Sequence, residues 1–206
     1  RLRVALRALP PGPLPPALVD GGRRWWLAEV RDETALRTAT PDWDAISALA
    51  RATDSMGVCA YARTPGRDYD LAVRAFVCAP AAFEDAASGA ANATLAAWLK
   101  SRDALPGRDG RYVVSQGREV GYDARLQLRV DEAGDVWSGG HVRTIVTGQI
   151  GVDKKPYLRD VERHAGERGD RMQVFHIGED DLHVGDQFFF AGVVHGVQAI
   201  EDGLVL

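Results

Sequence analysis

The chain has 206 residues, of which 46% are hydrophobic and 26% are charged, and its net charge is −4. These values exclude a chain that is disordered, collagenous or coiled-coil throughout. Because basic residues are not in excess, we expect no nucleic-acid partner and no binding to an anionic membrane surface. Because no long apolar run occurs, we expect no membrane-spanning helix. Two cysteines, Cys59 and Cys78, are too few for a disulfide scaffold and predict reduced thiols in a cytoplasmic protein.

The composition changes near residue 150, because all five histidines follow residue 140 and residues 151–206 are rich in acidic side chains. We therefore predict two units, 1–150 and a β-rich tail, 151–206. No signal peptide is visible and the first residue is Arg1, which leaves open that the sequence begins inside a longer protein. The prolines of residues 10–16 predict a linker.

Alternating and helical apolar patterns predict the elements of the first unit in chain order. The predicted strands are 25–30, 57–62, 71–78, 111–115, 124–130, 135–138 and 141–147, with a turn at Gly139-Gly140. A helix is predicted over 42–52. The clearest helix is 90–100, which is apolar nearly all round and should therefore be buried. The sum is an α+β fold, a mostly antiparallel sheet or barrel wrapped around one buried central helix, followed by a short all-β segment.

The segment before the buried helix carries the candidate chemistry. Residues 84–91 read Glu-Asp-Ala-Ala-Ser-Gly-Ala-Ala, and either Asp85 or Ser88 can cap the helix. Small residues let a ligand approach the backbone, and free N–H groups at a helix start favour an anion such as a carboxylate. Asp85 could serve there as an acid or base. The alternative is a capped helix in a crowded core with no ligand.

Ordered motifs over the first unit resemble one family. Arg74-Ala75-Phe76 precedes the acidic segment by ten residues, Gln-Gly-Arg-Glu-Val-Gly follows at 116–121, and Ser-Gly-Gly-His-Val follows at 138–142. This order resembles the C-terminal half of the PhzF family of phenazine biosynthesis, which is built on the diaminopimelate-epimerase fold. The resemblance covers roughly residues 15–150.

The resemblance implies a cofactor-independent isomerase or epimerase that moves a proton on a small carboxylic acid. It matches Asp85 to the family's catalytic aspartate, and Gly89 and Ala90 to its substrate-binding pair, with Glu84 and Ser88 beside them. In the family, the active site lies between two halves, and the first half is missing from this sequence. We therefore expect either a homodimer or pairing with a chain that carries the other half.

The sequence departs from the family pattern at three places, and the changes at Ala90 and Tyr122 leave an alternative function open. Ala90 replaces a serine and so lacks its hydroxyl, Ala86 replaces a proline, and Tyr122-Asp123 replace an Arg-Pro pair. A protein that kept the pocket and lost the chemistry would be a binding module for a small acid or for a partner chain.

The tail has a weaker resemblance of its own. A Gly-Asp turn at 185–186, an aromatic strand at 188–190 and Gly-Val-Val-His-Gly at 192–196 resemble the second motif of the cupin family. That resemblance implies that His195 binds a divalent metal inside a small barrel and that the tail has a metal-dependent activity. The alternative is a turn histidine after a buried strand.

Overall fold

The computed structural model describes residues 1–78 and 81–141 together with two short strands further along the chain. The described helices are α1 (Leu2–Ala5), α2 (Glu33–Thr38), α3 (Trp43–Thr53) and α4 (Gly89–Ser101). The described strands are β1 (Ala17–Asp20), β2 (Arg24–Glu29), β3 (Gly57–Arg63), β4 (Leu71–Val77), β5 (Phe83–Asp85), β6 (Arg111–Gln116), β7 (Ala124–Val130), β8 (Val136–His141), β9 (Phe188–Phe190) and β10 (Gln198–Ala199). A 3₁₀ turn, Arg118–Val120, follows β6.

These strands form one sheet in the order β10-β1-β2-β3-β4-β6-β7-β8-β9, with β5 paired to β4 beside that path. The pairs β2–β3 and β4–β6 are parallel, and the other described pairs are antiparallel. Helix α4 contacts β1 and β2 as well as β7 and β8, which lie far apart in the strand order. The sheet therefore curves around α4, and the predicted α+β fold with one buried helix is confirmed.

Helix α4 is buried because its sequence offers apolar side chains on every face. Leu95, Trp98 and Leu99 are almost fully buried, and they pack in one cluster with Tyr61 and Val73 of the sheet. Burying one large apolar side chain stabilises a fold by about 1.5–3 kcal/mol, so this packing outweighs the intrinsic preference of any single helix residue. The helix predicted over 90–100 is confirmed.

The middle of the sheet is covered on both faces. All seven residues of β4 are buried, and alternate side chains of a strand point to opposite faces. Val73 belongs to the cluster around α4, whereas Phe76 belongs to a second cluster with Ile46 of α3 and Leu36 of α2. Such double coverage explains why the strand is a nearly continuous apolar run.

The predicted turn at Gly139-Gly140 is wrong, because both glycines lie inside β8. Gly139 pairs with Gln127 and Gly140 pairs with Leu126 of β7. A Cβ atom on Gly140 would lie 3.0 Å from the carbonyl oxygen of Arg125. The glycine therefore marks a close approach of two backbones rather than a change of direction.

The proline-rich stretch is packed against the sheet, which differs from the predicted linker. The Gly12 N–H donates to the Glu29 carbonyl oxygen at 2.8 Å, and the Leu14 N–H donates to the buried Glu29 carboxylate at 2.9 Å. Helix α2 was not predicted, because its six residues are too few to show a clear periodicity. No described helix is long and apolar enough to span a membrane.

The packing divides the chain into two units, Arg1–His141 with Phe188–Leu206, and Val142–Gln187. The second unit lies outside the described residues, as does the predicted boundary at residue 150. Of the tail, the structure describes β9, which pairs with β8, and β10, which pairs with β1. The cupin-like character of the tail stays a prediction.

Candidate functional site

One edge of β4 brings the candidate residues together. The first half of that edge pairs with β6, where Val73 lies opposite Gln116. The second half pairs with β5, where Ala75 lies opposite Asp85. The end of β6 and the end of β5 therefore meet beside β4, although Asp85 and Gln116 are far apart in sequence.

Helix α4 starts directly after this meeting point, with Ser88 as its N-cap. The Ser88 hydroxyl oxygen accepts a hydrogen bond from the Ala91 N–H at 3.4 Å, and the Ser88 carbonyl accepts one from the Asn92 N–H at 3.2 Å. Gly89 and Ala90 are exposed, and within the described residues their N–H groups have no hydrogen-bond partner. Together with the positive end of the helix dipole, these two free N–H groups suit an anion.

Asp85 lies half-buried at the end of β5, three residues before the cap. Its Oδ1 accepts a hydrogen bond from the Ala87 N–H at 3.1 Å, and within the described residues its Oδ2 has no partner. Its backbone carbonyl accepts a hydrogen bond from the Gln116 side chain at 2.6 Å. The pairing with β4 and the hydrogen bond from Gln116 thus fix the backbone of Asp85. Its Oδ2 stays available among the described residues.

Glu84 forms a buried ion pair with Arg74. Both of its carboxylate oxygens accept hydrogen bonds from Arg74, from Nε at 2.9 Å and from Nη2 at 2.8 Å. Arg74 also donates to the carbonyl oxygens of Leu36 and Ala39 at the end of α2. The pair links β5 to β4 and to the end of α2. The substrate contact of Glu84 stays a prediction.

Sequence reasoning missed Gln116 as a member of this site. Its side chain is fully buried and bonds to Asp85, to the Ser88 N–H at 3.3 Å and to Asn92 Nδ2 at 2.8 Å. The signal was present in the Gln-Gly motif at 116–117, but nothing local in a motif shows which distant groups a side chain contacts.

The 3₁₀ turn after Gln116 leads to a charged cluster in which the acids and bases pair with each other. Arg37 donates to Glu33 at 2.7 Å, to Glu119 at 3.0 Å and to the Ser115 hydroxyl at 2.9 Å. Burial raises the pKa of Glu33, but hydrogen bonds from Tyr69 and Arg37 outweigh it, so this pKa lies below its ordinary value. The cluster ties α2 to β6.

The metal site predicted at His195 lies outside the described residues. Within the described residues, no group of three or more His, Cys, Asp or Glu side chains is placed to hold a metal ion. His195 as a ligand stays a prediction.

Three solved structures are similar to this chain. A Pseudomonas aeruginosa protein described as a predicted epimerase is 24% identical, with 73% of this chain and 52% of that chain covered and a TM-score of 0.54. A PhzF-family protein of Enterococcus faecalis is 23% identical over 70% of this chain and 55% of that one, with a TM-score of 0.44. A PhzF-family protein of Bacillus anthracis is 17% identical over 57% and 41%, also with a TM-score of 0.44. The similarity to the Pseudomonas aeruginosa structure shows the fold of this chain.

A curated relative matches the same region. The Schizosaccharomyces pombe protein named Antisense-enhancing sequence 1 is 24% identical over 139 residues, which are 66% of this chain and 46% of that protein. The chain thus spans about half the length of the relatives it matches. The sequence profile of the family described as Phenazine biosynthesis-like protein matches residues 4–150. With that match over well more than half of its residues, the chain belongs to the PhzC-PhzF family of phenazine biosynthesis-like proteins.

Proposed function

We propose that this chain supplies the α4 half of the active site of an isomerase or epimerase that moves a proton on a small carboxylic acid. Membership of the PhzC-PhzF family supports the isomerase-like class. The observation that carries the proposal is that the exposed residues Gly89 and Ala90 have N–H groups without a partner among the described residues, within five residues of the half-buried Asp85. The substrate carboxylate binds the amides, and Asp85 handles the proton.

The chemistry needs no cofactor in this proposal. A base removes a proton from the carbon next to the carboxylate, and the electron pair of the broken C–H bond moves into the carboxylate, which the two amides stabilise. An acid then returns a proton to that carbon or to a conjugated one. Asp85 serves as one of these two groups, and the other comes from the half of the protein that the relatives contain beyond this match, or from a partner chain.

Incorporation of deuterium tests the proposal. The full-length protein is incubated in D₂O with a panel of small unsaturated and amino carboxylic acids, and Asp85→Asn is compared with the unchanged protein. We expect the exchange rate to fall about a hundredfold or more in the variant, the range of one general acid or base. Asp68→Asn is the matched control, because the Asp68 side chain is 76% exposed and forms its ion pair with Arg125 at 3.7 Å. Equal exchange in Asp85→Asn would remove Asp85 from the mechanism.

A second candidate is a binding module without turnover. It is favoured by Ala90, which offers a backbone N–H but no hydroxyl at the position where the family has a serine. Calorimetric titration that shows saturable binding of an acid, together with no deuterium exchange into that acid, would support this function. Exchange into any bound acid would exclude it.

A further inference from the structure

We propose that Gln116 is the positioning residue of the α4 site, whose carboxamide sets the separation between the Asp85 carboxylate and the free amides of Gly89 and Ala90. This inference deepens the proposed function and rests on it for what that separation does. Gln116 itself is fully buried, so it contacts no ligand and acts through the turn that it holds.

The Gln116 carboxamide holds both ends of the turn between β5 and α4. Its Nε2 donates to the Asp85 carbonyl at 2.6 Å, where the turn begins. Its Oε1 accepts from the Ser88 N–H at 3.3 Å, where the turn ends, and also from Asn92 Nδ2 at 2.8 Å. Only one orientation of the amide fits, because a flipped amide would set its N–H groups against two donors.

The backbone after Gln116 lies directly against the same turn. Gly117 has φ +89°, and a Cβ atom there would lie 2.5 Å from the Ala86 carbonyl oxygen. Glycine at this position therefore permits an approach that another residue would prevent. Strands β5 and β6 pair with the same edge of β4, so the sheet fixes the distance between their ends. The Gln116 side chain bridges that distance.

The site therefore requires one donor and one acceptor of fixed shape at position 116. Alanine supplies neither. An ionised glutamate accepts from Ser88 and Asn92 but turns a second negative oxygen toward the Asp85 carbonyl. A protonated glutamate donates and accepts as glutamine does. In Gln116→Glu, the site should therefore bind an anion weakly at neutral pH and regain its affinity in acid. A general loss of packing would not produce this pH dependence.

The experiment is a nitrogen-15 NMR titration of the full-length protein with sodium sulfate. The sulfate ion is chosen because its charge is the same at neutral and mildly acid pH. The readout is the saturable shift of the Gly89 and Ala90 amides. We expect Gln116→Ala to bind sulfate about tenfold more weakly, and Gln116→Glu to be equally weak at neutral pH but to approach the unchanged protein in acid. Gln127→Ala, on the half-buried outer side of β7, is the matched control.

Each outcome decides a different claim. Equal sulfate affinity in Gln116→Ala and the unchanged protein overturns the role of Gln116 and leaves the proposed function standing. If sulfate does not shift the amides of the unchanged protein, the proposed anion site is wrong. Hydrogen exchange of the Ser88 amide then tests whether Gln116 holds the turn. We expect that exchange to be at least about tenfold faster in Gln116→Ala, and unchanged exchange overturns the proposal. If Gln116→Ala does not fold, the comparison of Gln116→Glu at two pH values replaces it, and no recovery in acid overturns the proposal.

Discussion

The buried pair of Arg74 and Glu84 offers the sharpest test of how the site is held. Their side chains are only 5% and 6% exposed, and two short hydrogen bonds join them. Removing one partner of such a pair leaves an uncompensated buried charge and destabilises a protein by about 3–5 kcal/mol. Arg74 would keep its bonds to the carbonyl oxygens of Leu36 and Ala39, so we place Glu84→Ala at the lower end, about 3 kcal/mol.

Urea unfolding at neutral pH measures this loss as a lower midpoint with an unchanged slope. The control is Asp68→Ala, which removes an exposed ion pair with Arg125 and should lower the free energy of unfolding by no more than about 1 kcal/mol. A loss below about 1 kcal/mol in Glu84→Ala, combined with weaker binding of acids, would show that Glu84 serves the ligand rather than the fold, and would refute the reasoning.

Three further predictions concern the cap of α4, the Glu33 carboxylate and the Cys59 thiol. Ser88→Ala removes the cap of α4 and should lower the free energy of unfolding by about 1 kcal/mol, whereas Ser88→Gly should lower it by only a few tenths; equal losses would contradict the cap. The pKa of Glu33 is lowered in the folded protein, so the stability that Glu33 contributes is present above the ordinary glutamate pKa and is lost as the pH falls through the pKa of the folded state. On acidification, Glu33→Gln should therefore lose less stability than the unchanged protein. Burial raises the pKa of the Cys59 thiol to about 12, so Cys59 should resist iodoacetamide at neutral pH until the protein unfolds, and rapid labelling of the native protein would contradict its burial.

Local patterns in the sequence were enough to predict the buried helix and most of the strands. The Ala- and Leu-rich run over 90–100 acts within a few residues, so the helix could be identified without knowing the fold. The sequence left its cap open between Asp85 and Ser88, and the structure shows Ser88. The Gly139-Gly140 pair misled the prediction because glycine serves both turns and close backbone contacts, and only the pairing with β7 separates these uses.

The positions of the candidate residues could be predicted from the sequence, but their hydrogen-bond partners could not. Asp85, Gly89 and Ala90 could be identified from the motif and the helix start, both of which are local. The partners of Glu84 and Gln116 could not be, because Arg74 and Ser88 reach them only through the shared edge of β4. Which of two adjacent carboxylates is buried in an ion pair depends on such long-range pairing.

A structure of the full-length protein with an acid that undergoes exchange tests the central claim most directly. The account predicts a carboxylate oxygen about 3 Å from the nitrogen of Gly89 or Ala90, with an oxygen of Asp85 about 3 Å from the exchanging carbon or joined to it through one water. An acid bound away from the start of α4, with Asp85 facing no part of it, would contradict the account.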